Sequence, residues 1–519
     1  MLLHHLLERT AAHTPTAEAL VFEGQRLSYA DINQQADRLA TALQQRGVQV
    51  GDRVATLLDN SVQAVVSLWA TLKCGAVFMP INPLTKHDKL AYLLNDARAS
   101  VLIAHAGLMR EVGAALTQNS SLHTVWVHGV PHGVPRDLQR SDAHCADSRL
   151  ATLPALDVEA PELRPVAAID QDLAAIIYTS GSTGEPKGVM LTHLNMRSAT
   201  RSVGGYLQLQ PHDRISCALP LAFDYGLYQV LMAARVGACV VLDRSFAFPV
   251  KVMEGMARER VTVFPGVPTM FALLMNLKSA AICNLPDLRL ITNTAAALSE
   301  HHIQQLRALF PQAQLYSMYG LTECKRVTYL PPNQLHIRPT SVGRGMPNQE
   351  VWLIGEAGQR LPLGATGELV VRGSHVMRGY WDKPAATAER LHLDPVTGQT
   401  VLHSGDIFRT DGEGFLYFVA RRDDIIKSRG EKVSPREVEN VLYSLDGVLE
   451  AAVVGVPDAL LGEAVKAFVA LKPGSALTER DVVRHCTAHL EGFMVPKTVI
   501  FVGELPKTDT GKIKKTDLR

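Results

Sequence analysis

Apolar residues recur along this chain at two periods. In LSYADINQQADRLATALQQRGV, Ile32, Ala36, Leu39 and Leu43 lie three or four residues apart, the spacing of one helical face. Ser28 and Asp31 open that stretch at the spacing of a capping box, so a helix is predicted from there. The opening MLLHHLLERTAAHTP reads as an amphipathic first helix. RVATLLD follows as a strand, and VVSLWATLKCGAVFMPINP as a helix ending near Gly75 with a strand beyond it. LAAIIYT, ACVVLD, VTVFPG and LRLITN are short, continuous apolar runs bounded by turn residues. Strands covered on both faces by helical crossovers read this way, so the expected class is α/β with parallel or mixed sheets. Residues 127–165 are polar and irregular and are expected to form a long surface connection.

Near residue 420 the texture changes. VARRDDIIKSRGEKVSPREVENVLY is dense in charge. Two short strands, EAAVVGVPD and EAVKAFVALKPG, a helix over ERDVVRHCTAHLEG and the ending LPKTDTGKIKKTDLR follow. The division expected is a large N-terminal domain over residues 1–421 and a small α+β domain over 422–519, with a hinge in ARRDD.

Composition narrows the function. The 519 residues carry a net charge of +1 with both signs mixed, which leaves no basic footprint for nucleic acid and no polybasic run for a membrane surface. Seven scattered cysteines without a CxxC pair argue against a disulfide framework or a zinc knuckle. The N-terminus lacks the basic region of a signal peptide, and no uncharged apolar run reaches the roughly 18 residues of a membrane span. A soluble cytoplasmic protein is the expectation.

The stretch YTSGSTGEPKG, Tyr178 to Gly188, concentrates the candidate chemistry. Its glycines let a ligand approach the backbone, its hydroxyls are donors, and Lys187 adds a point charge. The same composition also suits a plain surface turn. It is not a Walker loop, because only two residues separate Gly181 from Gly184 and Lys187 is followed by Gly188 rather than Ser or Thr. No GxSxG nucleophile elbow is present, and SVGRGMP places Pro347 where a dinucleotide-binding helix should start. A loop that cradles phosphates is the reading carried forward.

YTSGSTGEPKGVMLTH resembles the signature of the adenylate-forming superfamily, which includes acyl-CoA synthetases, adenylation domains of nonribosomal peptide synthetases and luciferases. YGLTE, GELVVRGSHVMRGYW, SGDIFRTDGEGFLYF, RRDDIIKSRGEKVSPREVE and PKTDTGKI follow in the family's order and extend the resemblance over essentially the whole chain. The resemblance implies that a carboxylate attacks the α-phosphate of ATP, and that the acyl group of the resulting adenylate then passes to a phosphopantetheine thiol. Thr179, Ser180, Gly181, Ser182, Thr183, Gly184 and Lys187 would cradle the β- and γ-phosphates. Thr322 would donate to the α-phosphate and Glu323 would hold Mg²⁺ with oxygen ligands. Tyr319 would stack on adenine, Asp406 would accept the ribose hydroxyls, and Arg421 would assist it. Lys512 would reach the substrate carboxylate and the α-phosphate. Asp423 would be the hinge and Gly430 would line the thiol tunnel. Standing alone, Lys512 among Lys507, Lys514 and Lys515 would read as a solvated basic tail, and Cys324 as a small buried thiol.

Substrate identity divides the motifs. In LPLAFDYGL, Phe223 and Asp224 follow the amino-acid-adenylating pattern, in which the aspartate binds an α-ammonium, whereas the flanking segment and Leu321 follow acyl-CoA synthetases. Asp224 equally fits a buried carboxylate bonded within the protein. Thr294 and Ala295 stand where the family commonly has paired glycines, which would shorten the acyl pocket. The reading adopted is a stand-alone acyl-CoA synthetase-like ligase using ATP, Mg²⁺ and coenzyme A. A free-standing amino-acid or acyl adenylating enzyme that loads a separate carrier protein is the alternative. A catalytically silent nucleotide- or acyl-binding protein is the rival of another class.

Overall fold

The structure is a computed structural model that describes residues 1–519 except 120, 130–147, 156–161, 181–184, 276, 278–283, 295–297, 299, 429–430, 459–460, 508–512 and 519. The helix Tyr29–Gln45 starts where the sequence places it, with a reciprocal capping box between Ser28 and Asp31. Ile32, Ala36, Leu39 and Leu43 all lie on its buried face. The first helix is His5–His13.

Two large sheets organise the N-terminal part. Among the described residues one has nine strands. Its centre is parallel and holds ACVVLD, VTVFPG and LRLITN, as their continuous apolar character predicts. The other has eight, with LAAIIYT as the strand Leu173–Ser180 beside Val77–Pro80. A single hydrophobic cluster joins residues of both sheets to the helices Tyr29–Gln45, Val62–Lys73, His193–Tyr206 and Asp224–Val236. Val62–Lys73 is buried on nearly every side, which explains its unbroken apolar run. Its one charge, Lys73, is offset by Glu8 Oε1 at 2.9 Å and Asp37 Oδ1 at 2.7 Å, which ties the first two helices to it.

A third sheet is antiparallel: Gln349–Ile354, Thr366–Gly373, Thr400–Thr410 and Leu391–Leu393, with Leu416–Arg421 on Thr400–Thr410. The fourth runs from Ile426–Ser428 to Thr498–Val502 and lies wholly beyond Arg421. The two tail strands, Val448–Asp458 and Gly462–Leu471, pair antiparallel and share one hydrophobic cluster with the helices Pro435–Ser444 and Glu479–His489. Asp423 falls in the short 3-10 turn Arg422–Asp424 between the last strand of the third sheet and the first of the fourth. The stretch 127–165 is not all connection, because Leu150–Thr152 adds an edge strand to Thr124–His128. The described cysteines Cys74, Cys217, Cys239, Cys324 and Cys486 are buried free thiols. Among the described residues no helix is long and apolar enough to cross a membrane.

Candidate active site

The strands Val263–Gly266, Leu290–Asn293 and Gln314–Tyr319 run parallel and in register, so their carboxyl ends share one edge of the nine-stranded sheet. Ligands of α/β sheets bind beyond that edge. Tyr319 ends its strand there, and Thr322 and Glu323 occupy the turn that follows.

Three predicted residues meet at Tyr319. Its hydroxyl donates to Asp406 Oδ2 at 2.5 Å. Asp406 lies opposite Arg421 across the third sheet, and Arg421 Nε is 3.9 Å from Asp406 Oδ1. Burial raises the Asp406 carboxyl above its usual range, while the Arg421 charge and the Tyr319 hydrogen bond hold it back. The Tyr319 ring packs edge-on against Phe408, with centroids 4.8 Å apart. A nearly buried carboxylate fixed by a phenol and a guanidinium is pre-oriented to accept hydroxyl donors.

A second group forms around Glu323. Its Oε1 accepts the Tyr380 hydroxyl at 2.7 Å, and its backbone carbonyl accepts Met377 N–H at 2.7 Å. Tyr380 pairs with Val189 of the strand Pro186–Thr192, and Lys187 Nζ lies 5.6 Å from the centre of the Tyr380 ring. Tyr380 therefore links the lysine of the glycine loop to the predicted metal-side carboxylate. Its phenol is raised above its ordinary range by burial and by Glu323. The carboxylate of Glu323 and the hydroxyl of Thr322 are hard oxygen donors of the kind magnesium takes, so the donor set fits that ion. Loss of a hydrogen bond to a charged group costs about 1.5–3 kcal/mol in buried settings. Glu323 is only half-buried, so Tyr380→Phe is expected to slow acid-dependent ATP–pyrophosphate exchange by about tenfold and to weaken its magnesium dependence. Unchanged rate and magnesium dependence would count against the link.

The glycine loop differs from the usual phosphate loop of α/β folds. Leu173–Ser180 and Pro186–Thr192 are antiparallel, with Thr179 opposite Lys187 and Ser180 opposite Pro186, so the stretch is flanked by paired strands and a strand, not a helix, follows it. Gly181, Ser182, Thr183 and Gly184 lie outside the described residues, as do Ala295, Gly430 and Lys512; the side chains of Ser180 and Asp423 do too. Tyr178, at the head of the stretch, donates to Asp96 Oδ2 at 2.6 Å.

On the substrate side, Phe223 precedes the helix Asp224–Val236 and meets Tyr225 edge-on, with centroids 6.3 Å apart. Thr294, almost fully buried, directly follows the strand Leu290–Asn293. Asp224 has a partner inside the protein: Lys325 Nζ is 3.4 Å from its Oδ2. Lys325 also lies 4.2 Å from the Tyr228 ring centre. Burial lowers its ammonium to about 7, with Asp224 opposing the fall and Arg326 adding to it. The adjacent Cys324 thiol is fully buried and raised by burial and by Glu323, as befits an inert packing residue. Residue-level reading missed Tyr380, Lys325 and Arg326. Tyr380 stood inside a recognised motif, and the two cations lie just beyond YGLTE, where no quoted motif covers them.

One open cleft, of about 560 Å³ and lined in part by His4, His5, Glu8, Lys73 and Asp170, contains none of the predicted residues. Its His4–His5–Glu8 group could in principle hold a metal ion, but Lys73 already holds that group's carboxylate.

The family comparisons agree with this geometry. Residues 7–381 match the AMP-binding enzyme family, and residues 437–512 match the AMP-binding enzyme C-terminal domain. The chain is 35% identical to a feruloyl-CoA synthase of Amycolatopsis sp over 98% of its own length and 97% of that protein. It is 32% identical to a long-chain-fatty-acid–CoA ligase of Bacillus subtilis (strain 168), over 99% of this chain and 94% of that one. Among solved structures, the anthranilate CoA ligase AuaEII in complex with anthranoyl-AMP superposes with a TM-score of 0.87 at 27% identity, covering 100% of this chain and 96% of that one. The chain therefore belongs to the AMP-binding enzymes, the adenylate-forming acyl-CoA ligase superfamily, and is an AMP-forming ligase that binds ATP and activates a small carboxylic acid as its acyl adenylate.

Proposed function

We propose that the enzyme completes the ligation by passing the acyl group to coenzyme A, acting as an acyl-CoA synthetase. The observation that carries this reading is the match to a feruloyl-CoA synthase and a fatty-acid–CoA ligase over nearly the full length of both partners. In the first half, a carboxylate oxygen attacks the α-phosphorus and pyrophosphate leaves. In the second, the thiol sulfur attacks the acyl carbon and AMP leaves with the oxygen it gained. Attack at phosphorus crowds negative charge, so the protein's work is positioning and electrostatic stabilisation.

In this proposal Asp406, oriented by Tyr319 and Arg421, receives the ribose hydroxyls, and the Tyr319 ring borders adenine. The loop Thr179–Lys187 holds the outer phosphates and Thr322 donates to the α-phosphate. Magnesium, held by Glu323 and the phosphates, would offset their charge. Lys512, brought by a small domain of residues 422–519, stabilises the transferring group. Rotation at Asp423 then replaces it with the segment around Gly430, which lines the approach of the thiol. Lys325 occupies Asp224, which weighs against the amino-acid-loading alternative, because an α-ammonium would have to displace an existing cation. A panel of acids, assayed for pyrophosphate with and without coenzyme A and for thioester by mass spectrometry, tests the reading. Coenzyme A thioesters are expected. Adenylate that is transferred only to a carrier protein would overturn the choice of acceptor.

A further inference from the structure

We propose that the acid activated by this enzyme carries a second anionic group, remote from the reacting carboxylate, and that Arg326 receives it. The proposal rests on the carboxylate-activating reading above and deepens it by naming a substrate class.

The turn after Glu323 doubles back on itself. A Cβ on Gly320 would lie 2.3 Å from the Lys325 carbonyl oxygen, so only glycine permits the approach. Lys325 itself takes a left-handed backbone, φ 57°, which side-chain-bearing residues adopt at a cost and which recurs at functional sites. The result is that two consecutive cations point into the protein, with Lys325 4% and Arg326 2% exposed. Lys325 is offset by Asp224. Arg326 is not offset. Its guanidinium lies 4.8 Å from the centre of the Tyr225 ring, its buried Nε has no acceptor, and among the described residues it makes no hydrogen bond or ion pair.

An arginine cannot discard its charge by losing a proton. A buried charge without a partner is among the costliest features a fold can carry. The ring face supplies part of what water would have given, but not an acceptor for the forked N–H donors. A carboxylate supplies that acceptor, in the bidentate geometry guanidinium prefers.

The location selects the substrate. Tyr225, the ring under Arg326, is the second residue of the helix Asp224–Val236, and its hydroxyl bonds Thr292 O at 2.8 Å and Thr292 Oγ1 at 2.7 Å. Thr292 lies two residues before Thr294. Arg326 thus stacks on a ring that meets Phe223 and directly follows Asp224, and it adjoins Lys325, the partner of Asp224, so it borders the proposed substrate side. With Asp224 spent on Lys325, the cluster keeps one uncompensated positive charge, which attracts a second anion and repels an ammonium. A phosphate of ATP offers the same chemistry, so the test must separate the two sources.

The test uses the full-length enzyme in ATP–pyrophosphate exchange. The acids are succinate through sebacate and the phthalate isomers, each beside its monomethyl ester and the monocarboxylic acid of equal length. A site built to bond a polar group discriminates strongly against analogues that lack it, so the wild type is expected to favour some diacid over its ester and its monoacid by roughly 10²-fold or more in kcat/KM. Arg326→Met is expected to abolish that preference, leave the KM for ATP unchanged, and melt no lower than the wild type without ligand, because it removes an unpaired buried charge. Arg326→Lys is expected to retain part of the preference. A wild type that prefers monoacids throughout overturns the proposal whether or not the variants fold. So does an Arg326→Met enzyme with a raised KM for ATP and an unaltered acid preference, which assigns the anion to the nucleotide. Exchange with no acid at all would sink the carboxylate-activating reading and this inference together, whereas exchange with monoacids alone sinks only the inference.

Discussion

Lys512→Ala is expected to slow acyl-adenylate formation by roughly 10²–10³, the scale of removing one preorganised electrostatic donor from a developing charge. The residue closes the segment matched to the C-terminal family domain and belongs to the motif TGKI. An ammonium held beside the α-phosphate would stabilise the charge that gathers there in the transition state more than it stabilises the bound substrates. Transfer from a supplied acyl adenylate to coenzyme A does not pass through that charge and is expected to stay within a few-fold of the wild type. Single-turnover assays of the two halves read the difference. Equal loss in both would return Lys512 to the role of a basic surface residue or a structural one.

Asp423→Pro is expected to divide the halves the other way. Asp423 lies in the short turn Arg422–Asp424, between the strands Leu416–Arg421 and Ile426–Ser428, which belong to different sheets. In the proposed mechanism residues 422–519 rotate as a small domain, and only a few backbone angles in that turn could absorb such a rotation. Proline fixes φ near −65°. Acid-dependent pyrophosphate exchange is expected to persist while thioester formation falls by about 10² or more, the penalty of a site assembled in the wrong geometry. Both rates at wild-type values would move the hinge elsewhere.

The parts of this molecule legible in its sequence are those governed by local periodicity. Ser28 and Asp31 foretell a helix start because both bonds of the capping box are made within four residues. LRLITN and VTVFPG foretell parallel strands because helices cover both their faces. The ligand groups around Tyr319 and Asp406 came instead from motif resemblance, since their meeting across 87 residues of chain leaves no local trace. The antiparallel pairing of Leu173–Ser180 with Pro186–Thr192 was hidden, because PKGVMLT shows neither clean alternation nor a continuous apolar run. Lys325 and Arg326 were hidden for a different reason. Adjacent charges ordinarily face water, and only the doubled-back turn at Gly320 carries these two inward. The same turn gives Asp224 its partner, as the reading of Asp224 as a carboxylate bonded within the protein requires.

The most direct measurement follows an atom. A substrate acid labelled with ¹⁸O in its carboxylate is turned over with ATP and coenzyme A, and the products are weighed by mass spectrometry. Activation as an acyl adenylate, followed by attack of the thiol on the acyl carbon, places one labelled oxygen in AMP and leaves pyrophosphate unlabelled. Label in inorganic phosphate with ADP as the nucleotide product, or AMP free of label, would contradict the mechanism at its central step.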